Sequence, residues 1–418
     1  MSEPPIPDAA TRLPRLRDLY RSMLFNDVVP WWQQHSFDRE CGGYFSCLER
    51  DGRPWSTDKF IWMTGREIWM FSYLFNTVRP EPAWLAAAQA GADFLLRHAF
   101  QPDGKMYFRL ARDGRPMSKV LSIYTEVFAA IAVAELSRAS GDERLWARAM
   151  KMYDFLIPRF GLPSDTPMLG YPLDAQFHLH AHDMCRITVA WVFNKIRPAK
   201  RFEDDLASSA NSIVRNHWKP ELNALLENVG MDGAAMLDLP EGRMFHPGHA
   251  IESAWMLMEI AREKGDRALI DTAVNIILAS LEQGWDREYG GLRYLTNVDG
   301  SPTHELGANL KLWWPHCETL YALLLGCSLT QRRDLWQWFE QVHDYALARF
   351  PDREHGEWFG YLDRDGKPVW TAKATAWKGF FHLPRALLRC HNVLDDLTNN
   401  PAGSAGTQTA PSRAPFKK

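Results

Sequence analysis

GGYFSCLERDGRP, residues 42–54, is echoed three times along the chain, as GKMYFRLARDGRP (104–116), GGLRYLTNVDGSP (290–302) and GEWFGYLDRDGKP (356–368). Each copy alternates apolar and polar residues and then reaches Asp-Gly, a strong short-range signal for a β-hairpin. The first two copies start about 60 residues apart, and so do the last two, a spacing that suggests repeat architecture. Between them the apolar period changes from two to three or four, as in WLAAAQAGADFLL (84–96), which reads as amphipathic helix.

Helices are predicted at 13–33, 58–78, 81–99, 119–139, 142–158, 172–195, 202–217, 247–265, 267–284, 307–327, 331–349 and 371–394. That makes about twelve helices, or six pairs of roughly 60 residues. Each hairpin falls after one helix and before the next, in the same half of the pair. The expected fold is therefore all-α, an (α/α)6 barrel with short β-hairpins at its mouth. In that arrangement even-numbered helices are inner and odd-numbered ones outer. An open helical solenoid is the alternative, but such arrays do not usually carry hairpins at alternate links. The expectation is a single domain over 1–398. Residues 399–418, NPAGSAGTQTAPSRAPFKK after Asn399, are small, polar and Pro-rich and are expected to be a disordered tail.

Composition narrows the function. Of 418 residues, 46% are apolar, enough for a large core, and the formal net charge is −3. Neither nucleic acid nor an anionic membrane is an expected partner. The N-terminus lacks a basic-plus-apolar signal, and no apolar run approaches a membrane span. The six cysteines are scattered without a CxxC pair, which reads as reduced thiols in a cytoplasm. No glycine-rich phosphate loop with Lys-Ser/Thr is present. Tryptophan (18) and histidine (14) are abundant. Indole faces suit the C–H faces of sugars, and imidazole titrates near neutrality.

Charged and imidazole groups recur on nearly every inner helix, where they are costly unless paired or used. Arg66 lies in FIWMTGREIWMF, and His178, His180 and His182 lie in FHLHAHDM. MFHPGHAIESAW (244–255) carries His246, His249 and Glu252. KLWWPHCE carries Trp313, Trp314, His316 and Glu318, and WKGFFHLPR carries Trp377, His382 and Arg385. Glu252 shares a helix face with His249 by i,i+3 spacing, and His246, before Pro247-Gly248, reads as loop structure. Adjacent Trp313 and Trp314 point apart, so one of them at most lines a pocket. In HLHAH only His178 and His182, four apart, could jointly hold a zinc. No carboxylate cluster or cysteine completes that set, and no metal is expected.

Taken together, GGYFSCLERDGRP with KFIWMTGREIWM, HPGHAIESAW, KLWWPHCE, GEWFGYLDRDGKP and KGFFHLPR resemble the N-acylglucosamine 2-epimerase family. That family also takes in mannose-type aldose isomerases and cellobiose 2-epimerases. The resemblance runs over about 13–394 in the same order, and it implies the same (α/α)6 barrel. It implies that His249 and His382 are an acid/base pair, that Arg66 contacts the substrate oxygens, and that Glu252, Glu318 and Arg385 position the histidines or the sugar. His182 matches an occasional substrate-binding histidine, and Trp313 and Trp377 are further candidates for the sugar-binding face. It further implies a small-molecule sugar substrate, a homodimer, and no cofactor. Some family members are activated by a nucleotide.

The implied reaction suits these groups. Inverting C2 of a reducing sugar requires ring opening, loss of the C2 proton and its return on the other face through an enediolate. Imidazole serves as acid or base near pH 7, a contribution worth roughly 10²–10⁴ in rate. A permanently cationic guanidinium can hold the developing oxyanion. The expected activity is a 2-epimerase of the N-acetylglucosamine/N-acetylmannosamine type. The alternative is an aldose–ketose isomerase or 2-epimerase acting on mannose-, glucose- or fructose-type sugars, which uses the same intermediate. Two other classes are open to residues alone. A glycoside hydrolase would recruit two of Glu252, Glu318 and Glu126 at a separation of roughly 5–9.5 Å. A non-enzymatic binding protein is the other, since animal members are known for binding a protease. The choice of sugar depends on loop residues in 158–171 and 228–246.

Overall fold

The computed structural model describes residues 6–119, 123–160 and 177–399. Its helices are α1 (Ala9–Met23), α2 (Val29–His35), α3 (Ile61–Thr77), α4 (Pro82–His98), α5 (Tyr124–Ser140), α6 (Glu143–Leu156), α7 (His180–Ile196), α8 (Lys200–Ser212), α9 (Pro247–Lys264), α10 (Arg267–Gly284), α11 (Trp313–Thr330), α12 (Arg333–Arg349) and α13 (His382–Asn399). A π-helical turn, Leu24–Val28, joins α1 to α2, so the first two form one rod. Among the described residues, no helix is long and apolar enough to cross a membrane.

The chain divides into two compact units. One holds Trp32–Ser212 with Ala372–Phe381; the other holds the N-terminal helix up to Trp31, Ile213–Thr371 and residues 382–399. In the first unit α3, α5 and α7 pack side by side, and α4, α6 and α8 each cover one of them. In the second, α9, α11 and α13 pack side by side, covered by α10, α12 and α1. Three helix pairs per unit give the six pairs that the apolar periodicity predicts. The division of labour is visible in burial. In α11 fourteen residues from Trp313 to Cys327 are buried, whereas α12 buries only one stripe, including Leu335, Trp336, Phe339, Val342 and Ala346. That is the all-round burial of a core helix against the single stripe of a surface one.

Tight links pair the helices. Gly265 ends α9 at φ +67°, a left-handed conformation that suits glycine, and Asp266 immediately caps α10 by accepting the Leu269 amide at 3.0 Å. Gly141 and Asp142 repeat the device between α5 and α6.

The longer links carry the short strands. Cys47–Leu48 pairs with Pro54–Ser56, and Arg109–Leu110 with Pro116–Ser118. Tyr361–Leu362 pairs with Pro368–Trp370. Three of the four echoed segments are therefore hairpins. The fourth is not: Thr296–Asn297 pairs with Met244–Phe245, the residues just before α9, so this copy has given its ladder to another segment.

Several helices begin later than the periodicity predicts. Lys59–Phe60 and Lys311–Leu312 are strands, hydrogen-bonded to Arg109–Leu110 and Tyr361–Leu362, because a neighbouring hairpin takes their backbone groups. Residues 371–381 are irregular rather than helical. Thr375 Oγ1 accepts the amides of Trp377 and Lys378 at 3.0 Å each, a side-chain turn that competes with helix. His178 lies in the strand Phe177–Leu179, so it does not share a helix with His182. The expected tail lies outside the described residues except for Asn399, which ends α13, as do residues 161–171 of the specificity loop.

An ion triad pins each unit's strands. Buried Asp38 accepts from Lys59 at 3.0 Å and from Arg112 Nε and Nη2 at 2.9 Å each. Buried Asp286 accepts from Lys311 at 2.9 Å and Arg364 Nε at 3.0 Å. Burial would raise both carboxyls, but the arginine and lysine donors and the nearby backbone amides outweigh it and hold both well below the usual carboxylate range. Lys59 to Arg112 and Lys311 to Arg364 span the same number of residues, so the two triads are copies of one arrangement.

Candidate active site

Three helices of the second unit begin with a proline in the first turn: Pro247 in α9, Pro315 in α11 and Pro384 in α13. The amide that proline lacks has no helical partner there anyway, so the residue marks a start without cost. These starts set His249, Trp314 and His382 at helix N-termini. Gly248 lets the starts of α9 and α11 touch: a Cβ on it would lie 2.9 Å from both Trp314 Cη2 and Pro315 Cβ.

The Trp314 indole is the common floor. Its ring centroid lies 5.2 Å from that of His249 and 5.4 Å from that of His382, with both planes tilted by 37°. Trp313, the tryptophan singled out from the sequence, is buried edge-on against Tyr361 and His382 instead. Spacing alone could not choose between these neighbours, because both sit in the first turn.

Each histidine is held by a carboxylate. His382 Nδ1 lies 2.7 Å from Glu318 Oε1. Glu318 also accepts from Arg385 Nη2 at 2.7 Å and from Trp255 Nε1 at 2.9 Å. All its partners are donors, so His382 carries its proton on Nδ1 and presents the lone pair on Nε2. The 3.4 Å approach of Arg385 Nη2 to the same Nδ1 is then a contact between two donors, and the shorter carboxylate bond prevails. His249 Nδ1 lies 3.0 Å from Glu227 Oε1, and its side chain is 27% exposed. Glu227 has no sequence signature; it lies on a link far upstream of α9.

Arg385 also donates to Glu252 at 2.5 Å. Burial opposes its charge, but Glu318 and Glu252 outweigh burial and raise its pKa. The i,i+3 spacing that faces Glu252 toward His249 thus ends in an ion pair with Arg385. Glu252, Glu318 and His382 have ligand atoms within 4.8 Å of one another, a spacing a metal ion could bridge. The Arg385 guanidinium already supplies the cation for both carboxylates.

The remaining histidines contrast with this pair. His316 is wholly buried, bonded to the Leu312 carbonyl at 2.6 Å and to the Leu292 amide at 2.9 Å, and burial pushes it down to about 3. It is a neutral structural residue. His246 caps α9, accepting the His249 amide at 3.4 Å, and stacks on His249 with centroids 4.1 Å apart. It is more than the loop residue its position suggests, since it stiffens the ring next to it.

The other predicted residues lie in the first unit. Arg66 is buried in α3 with its guanidinium 4.6 Å from the Trp62 ring centroid, 4.0 Å from Phe128 and 5.2 Å from Phe381. This aromatic cage keeps a cation desolvated and flat. His182 stands edge-on to Phe160, and burial lowers its pKa. Trp377 is 54% exposed on the irregular segment before α13, not on a helix, with its edge on Trp62. Glu126 accepts the Met106 amide at 3.0 Å.

Six helix pairs, three to a unit, are the (α/α)6-barrel fold, and solved structures share it. The cellobiose 2-epimerase of Spirochaeta thermophila matches with a TM-score of 0.79 at 23% identity, over 94% of this chain and 100% of that one. A D-mannose isomerase matches with a TM-score of 0.75 at 17% identity, over 94% and 100%. The family described as N-acylglucosamine 2-epimerase (GlcNAc 2-epimerase) matches residues 43–386. The N-acylglucosamine 2-epimerase of Bos taurus is 36% identical over 398 residues, 92% of this chain and 93% of its own. The fold and these matches define an enzyme of the isomerase class, an epimerase. The chain belongs to the N-acylglucosamine 2-epimerase family.

Proposed function

We propose that the chain inverts C2 of a reducing N-acylated hexosamine, interconverting N-acetylglucosamine and N-acetylmannosamine, with His249 and His382 as the proton-transfer pair. The observation that carries this reading is the shared Trp314 floor, on which each histidine has its Nδ1 on its own glutamate. On the open-chain sugar, Nε2 of one imidazole takes the C2 proton. The electron pair passes into the C1–C2 bond, and the carbonyl oxygen becomes the oxygen of an enolate whose C2 carries the N-acyl group. The imidazolium of the other histidine then delivers a proton to the opposite face of C2. Glutamate partners stabilise each imidazolium as it forms. Arg66 is assigned to the oxygens that gain charge, by its chemistry and by the family resemblance. The N-acyl substrate is supported by the name of the Bos taurus relative, 36% identical over most of both chains.

The test is an NMR panel in heavy water with N-acetylmannosamine, mannose, glucose, fructose and cellobiose. N-acetylmannosamine is expected to give N-acetylglucosamine with deuterium at C2. A ketose among the products would transfer the chain to the aldose–ketose isomerases, because the proton would then return to C1. His249→Asn and His382→Asn are each expected to abolish epimer formation while leaving the fold intact. Each variant should still wash C2 deuterium out of one epimer only, with opposite preferences. Near-normal turnover by either variant removes that histidine from the mechanism.

A further inference from the structure

We infer that Glu227 is the positioning residue of His249, holding the imidazole in the tautomer that presents Nε2 and stabilising its protonated form. This rests on the proton-transfer reading of His249 given above.

Glu227 Oε1 lies 3.0 Å from His249 Nδ1, and Glu227 is buried. The backbone around it is clamped on both sides. Ala224–Leu225 pairs with Trp218–Lys219, Leu226 bridges Phe245, the Glu227 amide donates to the Met244 carbonyl at 3.3 Å, and Asn228 Nδ2 donates to the Glu241 carbonyl at 2.9 Å. Met244 and Phe245 are also the strand that leads into α9. The carboxylate and the histidine are therefore mounted on one piece of backbone, and their separation does not depend on a flexible link. The histidine ring is further confined by His246 on one ring contact and Trp314 on another.

Among the described residues, charged and titratable groups meet the His249 ring or its stacked neighbour. Glu227 faces Nδ1, and His246 stacks on the ring. Tyr294 stands edge-on to His246, and burial, with Glu305 and Glu227, pushes its hydroxyl up to about 12, so it stays neutral. Glu227 is thus the anion placed to balance an imidazolium here. The arrangement repeats what Glu318 does for His382, so the two proton-transfer groups are tuned alike although they sit on different helices. A reversible epimerase needs that symmetry, because each histidine must serve as base in one direction and acid in the other.

The experiment compares Glu227→Gln with the unaltered enzyme and with His249→Asn. Glutamine keeps the volume and removes the charge. The expected result is a kcat lower by roughly 10- to 100-fold, taking as a guide the loss seen when a metal-bound histidine loses its orienting carboxylate, with KM changed far less. The ascending limb of kcat/KM against pH should move to lower pH, because a neighbouring carboxylate raises a histidine pKa and its removal lowers it. C2 deuterium washout should weaken for one epimer, the one His249→Asn fails to exchange, and not for the other. A structural role alone would move neither the limb nor the epimer preference.

Should Glu227→Gln fail to fold, imidazole ¹⁵N NMR of the unaltered enzyme decides. The resonance absent from His249→Asn should be the Nδ1–H tautomer. An Nε2–H tautomer, or a folded Glu227→Gln with unchanged kcat and limb, overturns the inference. If His249→Asn itself turns over normally, the proton-transfer reading fails, and the tautomer measurement still judges the Glu227 contact by itself.

Discussion

Gly248→Ala is the smallest change that should separate the site from the fold. A Cβ there would meet Trp314 Cη2 and Pro315 Cβ at 2.9 Å and Pro315 Cγ at 3.0 Å. Carbon atoms rest at about 3.5–4.0 Å, so something must move by roughly 0.6–1 Å. Pro315 is locked into the first turn of α11, which leaves the indole or the first turn of α9 to yield. Either movement shifts His249 against Trp314. Overpacking of this kind costs about 1–3 kcal/mol. Spread over the unfolding entropy of a chain this long, it lowers the melting temperature by only about 1–4 °C. A misplacement of about 1 Å at reacting groups costs on the order of 100-fold in rate. The expected outcome is therefore a folded enzyme, near-normal by circular dichroism and thermal melting, whose kcat has dropped about 100-fold. Turnover within about twofold of the unaltered enzyme would refute the reasoning, since at least one contact under 3 Å would then be absorbed without disturbing the histidines.

Arg66→Lys should lower kcat more than it raises KM, because lysine keeps the charge but loses the planar fork; a pure KM effect would make Arg66 a binding residue alone. Asp286→Asn leaves Lys311 buried without its carboxylate and should cost about 3–5 kcal/mol in urea unfolding at pH 7. The folded-state pKa of Asp286 is depressed, so its stabilisation is present at neutral pH and is lost as pH falls below about 4. The gap between variant and unaltered protein should therefore narrow in acid, and a constant gap would count against the ion triad. Glu67, buried beside Arg66 in α3, is raised to about 8 by burial against a weaker hydrogen bond from Ser36. A raised carboxyl stabilises the fold below its unfolded pKa and loses that contribution as pH climbs through 8. Glu67→Gln should gain on the unaltered protein between pH 5 and 9 in the same unfolding assay, and parallel pH curves would contradict this.

Much of the fold is legible in the sequence. Twelve helices follow from apolar periodicity, and the Asp-Gly pairs of the echoed segments mark three of the hairpins. The errors have physical causes. Lys59-Phe60 and Lys311-Leu312 continue a helical pattern, yet hairpins distant in sequence claim their backbones. Pro315 and Pro384 were the available signal for the true starts of α11 and α13, since proline inside a predicted helix belongs in its first turn. That same displacement moved Trp377 off the helix and put His382 at a helix end. Glu227 was out of reach, because its link to His249 is a tertiary hydrogen bond with no periodic spacing behind it. Spacing leaves Trp313 and Trp314 equivalent, and only the direction of each ring decides which one lies against both histidines.

The two ion triads also set how the protein will respond to ionic strength. Salt weakens charges it can approach, within a screening length of about 8–10 Å at physiological concentrations. The Lys59–Asp38 and Lys311–Asp286 side chains are 0% exposed, so dissolved ions do not reach them. Arg112 and Arg364, the outer arms, are 34% and 41% exposed and feel the medium. Brine should therefore loosen the arginine arm of each triad first and leave the lysine arm seated. Surface pairs such as Lys200–Asp204, 83% and 60% exposed, fade earlier still. The strands leading into α3 and α11 stay anchored through that sequence of losses, so concentrated electrolyte should wear away the protein's exterior charge pairing well before it disturbs the helix ends that carry Arg66 and Trp314.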